Sequence, residues 1–227
     1  MQNKKPIPVV AIDGPVGVGK SSVAHNVAAK LGFQYIDTGA MYRTVVLLAL
    51  ETSANPTAST LIECAEKLAV TFSPAGEAFM NGASLENRIR QESISREAYR
   101  AADLPAVREI LVQKQQQLGA ASPSVMEGRD ITTVVFPDAS WQFYLDADPE
   151  IRARRRFDQL VKKNQPQPFE SVLQNLWERD NRDRNRPTGA LKISENATVF
   201  DTSYLSEEQV VAIITAVVRD SVSAAAR

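Results

Sequence analysis

The chain has 227 residues, 44% of them hydrophobic and 23% charged, with a formal net charge of −1, one cysteine and one histidine. Such a chain can bury a full core as one compact unit, and its near-neutral balance excludes a globally basic binder of nucleic acid or anionic membrane. A lone cysteine excludes an internal disulfide framework and a cysteine-built zinc centre, so a metal here is held by oxygen.

The first residues, "MQNKKPIPVVAIDGP", lack the long apolar region of a signal peptide, and no apolar stretch reaches the ~20 residues of a membrane helix, so a cytoplasmic protein is expected. Val9 to Ile12 is a short, mostly β-branched apolar run closed by Gly14-Pro15, the pattern of a buried parallel strand. From Lys20 to Leu31 the apolar residues Val23, Val27 and Leu31 recur every four positions, and Gly32 supplies the stop of a helix. Between strand and helix stands "GPVGVGKSS", Gly14 to Ser22, which satisfies the phosphate-loop pattern in full. The backbone N–H groups of Gly14, Pro15's neighbours Val16, Gly17, Val18 and Gly19, and the helix start at Lys20, Ser21 and Ser22 are expected to cradle a phosphate chain. Lys20 neutralises the β- and γ-phosphates in such a loop and the Ser21 hydroxyl ligates Mg²⁺. The loop predicts a nucleoside triphosphate and leaves the acceptor open, because switches, ATPases and small-molecule kinases share it.

A short strand at "FQYI" and a mostly buried helix over "TGAMYRTVVLLALE" follow, with Thr38, Tyr42 and Arg43 near a helix N-terminus where a second anion can sit. A short helix is predicted near Leu61 to Leu68. Residues 70–90 change character. "VTF", "EAFM" and "SLE" read as brief strands and Asn81-Gly82 as a two-residue hairpin turn, giving a small antiparallel insertion. Pro105 opens another helix, with Val107, Ile110, Leu111, Lys114 and Leu118 on one side. "SVMEGRD" and "WQFYLDAD" are two further core strands; the first ends on Glu127-Gly128-Arg129-Asp130, at the strand end where ligands sit in parallel α/β folds. Asp148-Pro149 reads as an N-cap followed by a first-turn proline.

Between Ile151 and Pro187 there are ten Lys or Arg against five Asp or Glu. This excess in a neutral protein predicts a lid over phosphates, with Arg152, Arg154, Arg155 and Arg156 on one helix facing "ERDNRDRNR" on the next. If that second run is helical, Arg179, Asp183 and Arg186 share a face and Arg182 projects from it too. "TVFDTS" is a last strand, Ser206 to Gln209 a capping box, and Val210 to Val218 an apolar-striped helix. The alternation of strands and helices implies a parallel sheet covered on both faces.

Over nearly its whole length the chain resembles the bacterial cytidylate kinases, through "IDGPVGVGKSS", "DTGAMYR", "LPAVREIL", "EGRDITTVVFPDA", "RDNRDRNR" and "DTSYLSEEQV". The resemblance implies an α/β phosphate-loop fold of three layers around a five-stranded parallel sheet. It implies a core at 1–37, 106–153 and 188–227, a CMP-binding domain at 38–105 with the insertion near 70–90, and a lid at 154–187. It also implies transfer of the γ-phosphoryl of ATP to CMP or dCMP with Mg²⁺, by a monomer with no nucleic-acid or membrane partner. Carried over by motif, Arg43, Arg129 and Arg186 grip the CMP phosphate, Arg179 and Asp183 hold the ribose hydroxyls, and Arg108 and Asp130 read the cytosine edge. Thr38 and Tyr42 line that pocket, Arg154 and Arg155 approach the ATP phosphates, and Lys20, Arg129, Asp130 and Arg186 carry the chemistry. The sequence departs from the family at three places. Tyr99 stands where relatives have a base-contacting serine, so the hydroxyl comes from Tyr99 or a neighbour such as Ser95. Glu127 replaces an aspartate, and Thr132 replaces a glycine. Kinases of UMP, AMP or a small alcohol such as shikimate are the alternatives within the class; a GTP switch lacks its guanine-reading N-K-x-D, and a nucleic-acid-associated ATPase is the remaining one.

Overall fold

A computed structural model describes residues 7–225; residues 1–6, part of the stretch read for a leader, and 226–227 lie outside it. The first apolar run forms β1 (Val9–Asp13), buried throughout, and the glycine loop leads into α1 (Lys20–Leu31), which Gly32 closes in the left-handed conformation. β2 (Gln34–Asp37) passes directly into α2 (Thr38–Thr52) because the Asp37 side chain accepts from Ala40 N at 3.0 Å and caps the helix. α3 (Ala58–Glu66) starts three residues before Leu61, since the Thr57 hydroxyl accepts from Thr60 N and sets an earlier N-terminus.

The insertion is an antiparallel sheet of β3 (Val70–Phe72), β4 (Ala78–Met80) and β5 (Ala83–Ser84), with Asn81 and Gly82 both at positive φ in the turn, as predicted. "SLE" is not a full strand. The Leu85 side chain is buried and the Glu86 carboxylate accepts from Ala78 N at 3.1 Å, which turns the chain into the short helix α4 (Glu86–Ile89). α5 (Glu92–Ala102) and α6 (Pro105–Gly119) follow. β6 (Ser124–Glu127) ends at the Gly128-Arg129-Asp130 turn, and Ile131–Val135 makes a single π-helical turn. β7 (Trp141–Asp146), α7 (Pro149–Lys162), α8 (Phe169–Asn185), β8 (Thr198–Asp201) and α9 (Glu207–Ala225) complete the described chain. Asp148 caps α7 through Glu150 N, and the Ser206–Gln209 box closes reciprocally, each side chain accepting from the other residue's backbone N–H.

The large sheet has the order β2-β6-β1-β7-β8 and every pairing is parallel. Alternation along β1 sends Val10 and Ile12 to one face, against Val23 and Val27 of α1 and Val210 and Ile214 of α9. Ala11 faces the other way, toward Ile36, Met126 and Ile131. Each fully buried aliphatic side chain contributes about 1.5–3 kcal/mol to holding the layers together. A second cluster, Val45, Val46, Leu61, Ile94, Val107 and Leu111, joins α2, α3, α5 and α6, and a third, Ala153, Leu160, Val172 and Leu176, joins α7 to α8. Among the described residues no helix is long and apolar enough to cross a membrane. Parallel pairing brings the carboxyl ends of β1, β2, β6, β7 and β8 to one edge, so the phosphate loop, Asp37, Glu127, Asp148 and Thr202 all meet there.

Candidate active site

A cleft of about 1290 Å³ opens along this edge, beyond the usual size of a single small-molecule site and large enough for two ligands side by side. Its donor end is lined by Val16 through Ser22, with Arg155 and Thr202 beside them. Gly14 and Pro15 lie just behind the lining, where the Pro15 carbonyl accepts from Lys20 Nζ at 2.7 Å. Burial, together with the nearby Arg129 guanidinium, pulls the Lys20 ammonium down to about 7. Ser21 Oγ donates to Glu127 Oε1 at 2.6 Å, and Glu127 itself is buried at the end of β6. These are hard oxygen donors of the type Mg²⁺ takes. Arg155 donates to the Thr202 carbonyl at 2.6 Å, and the Thr202 hydroxyl donates to Val18 O at 3.2 Å, tying α7 and the end of β8 to the phosphate loop.

At the acceptor end Thr38, Tyr42, Arg43, Tyr99, Arg108, Arg129, Asp130, Arg179, Asp183 and Arg186 all line the same cleft. Asp183 is the hub. Arg129 Nε donates to its Oδ2 at 2.8 Å and Arg186 Nη2 to its Oδ1 at 2.7 Å. Burial alone raises Asp183, but Arg129, Arg179 and Arg186 around it hold the carboxyl below the usual carboxylate range. Among the described residues no carboxylate lies within ion-pair distance of Arg179, and burial beside Arg129 draws its guanidinium down to about 10. Arg108 pairs with Asp130, whose carboxyl burial raises against the pull of Arg108, and the Arg108 guanidinium also lies 5.5 Å from the Tyr42 ring centroid. Thr38 Oγ1 donates to Glu127 O at 2.7 Å, so α2 starts pinned to the end of β6. Arg43 is held by Asp37 at 2.8 Å; its Nε and the Tyr42 hydroxyl are both buried without a hydrogen-bond partner.

Some predicted positions differ. Arg186 is not on the helical face with Arg179 and Asp183, because α8 ends at Asn185 and Arg186 is extended; its side chain folds back to Asp183 and also meets Asp103 at 2.8 Å. Arg154 lies outside the cleft, where its guanidinium stacks 4.5 Å over Phe169, a more apolar setting than a phosphate offers. Arg152 is no wall of a lid. It is buried, donates to Val16 O at 3.0 Å and Ala147 O at 3.0 Å, and pairs with buried Asp180 at 2.6 Å. Arg156 pairs with Glu92 at 2.7 Å, and Arg182 covers the ring of Tyr99 at 4.5 Å. Together with Arg186–Asp103 these contacts join α7 and α8 to Glu92, Tyr99 and Asp103, residues seven and four apart along one side of α5 and its C-cap.

Sequence reasoning missed three supporting residues. Asp37 binds both Arg43 and Arg90, each at 2.8 Å, and stays below its ordinary range because these cations outweigh its burial. Asp13 accepts from Ile131 N, Thr132 N and Thr132 Oγ1, so the threonine that departs from the family glycine adds a third donor to a carboxyl that burial raises to about 6. Asp180 anchors Arg152 and accepts from Val16 N at 3.3 Å. All three carried a local signal, as charged residues inside motifs already singled out, "DTGAMYR", "IDGPVGVGKSS" and "RDNRDRNR".

A phosphate loop at the head of a parallel sheet, facing an arginine-rich acceptor pocket, defines a P-loop nucleotide-binding protein with the layout of a small-molecule phosphotransferase. The model of the cytidylate kinase family matches residues 10–220, and the chain belongs to that family. A cytidylate kinase of Caldanaerobacter subterraneus subsp. tengcongensis is 44% identical over 89% of this chain and 90% of its own length. Those of Bacteroides thetaiotaomicron and Vibrio cholerae are 40% and 39% identical, over 88% and 90% of this chain and 91% and 92% of theirs. Among solved structures, an uncharacterized protein of Eubacterium ventriosum shares the fold, with a TM-score of 0.53 at 9% identity, over 94% of this chain and 98% of that one.

Proposed function

We propose that the chain transfers the γ-phosphoryl group of ATP to CMP or dCMP, with Mg²⁺. The observation that carries this reading is the pair of cations, Lys20 and Arg179, that face one cleft without a carboxylate partner and are disfavoured there by burial and by neighbouring arginine. A donor phosphate chain at Lys20 and an acceptor phosphate on Arg129, the guanidinium that disfavours both cations, relieve that repulsion. A phosphate oxygen of CMP attacks the γ-phosphorus, the bond to the β–γ bridging oxygen breaks, and ADP leaves with that electron pair. Charge spreads over the transferring group, and in this reading Lys20, Arg129 and Arg186 neutralise it. Ser21 and Glu127 would hold Mg²⁺, which neutralises the β- and γ-oxygens when bound; phosphate and water complete its shell, since no cluster of three metal-ligating side chains occurs among the described residues. Arg108 and Asp130 offer a donor and an acceptor to the cytosine edge, while Arg43, Arg129 and Arg186 take the CMP phosphate and Arg179 and Asp183 the ribose.

In this reading the core comprises 1–37, 106–153 and 188–227, the CMP-binding domain 38–105 and the lid 154–187. The protein works as a cytoplasmic monomer with small-molecule partners, neither nucleic acid nor membrane. Coupled ADP-release measurements across CMP, dCMP, UMP, AMP and shikimate test it. CMP and dCMP turn over with the highest kcat/KM; AMP turnover equal to or better than that of CMP refutes the assignment.

A further inference from the structure

We infer that Tyr35, braced from behind by the small antiparallel insertion, is a positioning residue for the Ser21–Glu127 pair and so tunes how tightly Mg²⁺–nucleotide is held. The inference rests on the proposed ATP and Mg²⁺ site and adds a function for residues 70–84. Tyr35 lies on β2, is buried, and sends its hydroxyl to Glu127 Oε1 at 3.3 Å, the same oxygen that receives Ser21 Oγ. Because Ser21 donates its only proton to that carboxylate, its lone pairs are left for a cation, and the orientation of Glu127 decides where they point. A tyrosine hydroxyl facing a carboxylate oxygen can only donate to it, so this bond fixes the direction of the phenol proton as well.

What fixes Tyr35 comes from the insertion. The ring meets His25 edge-on at 5.6 Å on one side. On another it meets the turn between β3 and β4, where Gly76 sits at φ +76 and a Cβ added there would overlap the ring itself. That turn is closed by Gly76 N to Ser73 O at 2.8 Å and anchored to β2 by Gln34 Nε2 to Ser73 O at 2.7 Å. A contiguous path therefore runs from the insertion through Gly76, the Tyr35 ring and its hydroxyl to Glu127 and the phosphate loop. The turn needs glycine for its backbone as well as for this close approach.

Thermal-shift titration of Mg²⁺ in the presence of saturating ADP reads the effect without turnover. Tyr35→Phe raises the Mg²⁺ needed for half-maximal stabilisation by about tenfold, as loss of an outer hydrogen bond to a metal site does. Stabilisation by ADP in EDTA and the KM for CMP stay within about twofold, because neither uses the Tyr35–Glu127 bond. Gly76→Ala, which pushes the ring away, reproduces the Mg²⁺ shift, and adding it to Tyr35→Phe gives no further change. An unchanged Mg²⁺ requirement in Tyr35→Phe overturns the inference. A folded Gly76→Ala protein with the wild-type requirement overturns the part assigned to the insertion, and if that variant does not fold, Tyr35→Phe alone decides. A wild-type protein whose ADP complex ignores Mg²⁺ refutes the proposed site before the inference is reached.

Discussion

Replacing Asp180 with alanine strands a buried cation and should be the most damaging single change outside the cleft. Both side chains of the Arg152–Asp180 pair are 4% exposed, and the carboxylate also receives Val16 N from the phosphate loop. Breaking such a pair from one side costs about 3–5 kcal/mol, because the remaining charge stays desolvated. With an m-value of about 2–3 kcal/mol/M in urea, the unfolding midpoint falls by about 1 to 2.5 M at unchanged slope. The KM for ATP rises as well, since Val16 loses the acceptor that orders its N–H. Asp180→Asn keeps an acceptor and loses less, and the double replacement Arg152→Met with Asp180→Leu recovers most of the stability. The reasoning fails if Asp180→Ala shifts the midpoint by less than about 0.3 M, or if the double variant is as unstable as the two single effects added.

The remaining predictions concern charge and closure. Lys20, ordinarily at 10.5, is drawn down to about 7 and is neutral above that pH, so it must take up a proton to face phosphate. ADP affinity therefore falls as pH rises, approaching tenfold per unit above about pH 8, whereas Lys20→Arg is flat over the same range; calorimetry in buffers of different ionisation enthalpy registers the proton uptake. Tyr99, 40% exposed in the cleft, loses its stack with Arg182 on conversion to serine, and the KM for CMP rises about two- to fivefold with that for ATP unchanged. Tyr99→Phe keeps the stack and the wild-type KM; a loss as large as the serine variant's assigns the effect to the hydroxyl instead.

The helices, the parallel strands and the cleft were legible because their signals are local. A phosphate loop, an Asp-Pro cap and an Asn-Gly turn each dictate backbone geometry within a few residues, and all three formed as read. The contacts that brace the site were not legible, because they join single polar residues brought together by distant parts of the chain. Asp13 meets Thr132 and Asp180 meets Arg152 only after the sheet has assembled. Arginine roles were the hardest to assign, since composition marks an excess without saying which guanidinium points where. Arg152 went to the phosphate loop, Arg154 to an aromatic face and Arg156 to α5, although the three are near neighbours on one helix.

The row of contacts between α5 and the α7–α8 pair has a consequence for the medium in which the protein works. Two of its three members, Arg156–Glu92 and Arg186–Asp103, are ion pairs whose carboxylates are about one-third exposed. Exposed contact pairs contribute about 0–1 kcal/mol and weaken as salt is added, buried ones much less. Added salt therefore loosens the Arg156–Glu92 contact between α7 and α5 first, while the Arg186 guanidinium, 4% exposed, keeps its partners.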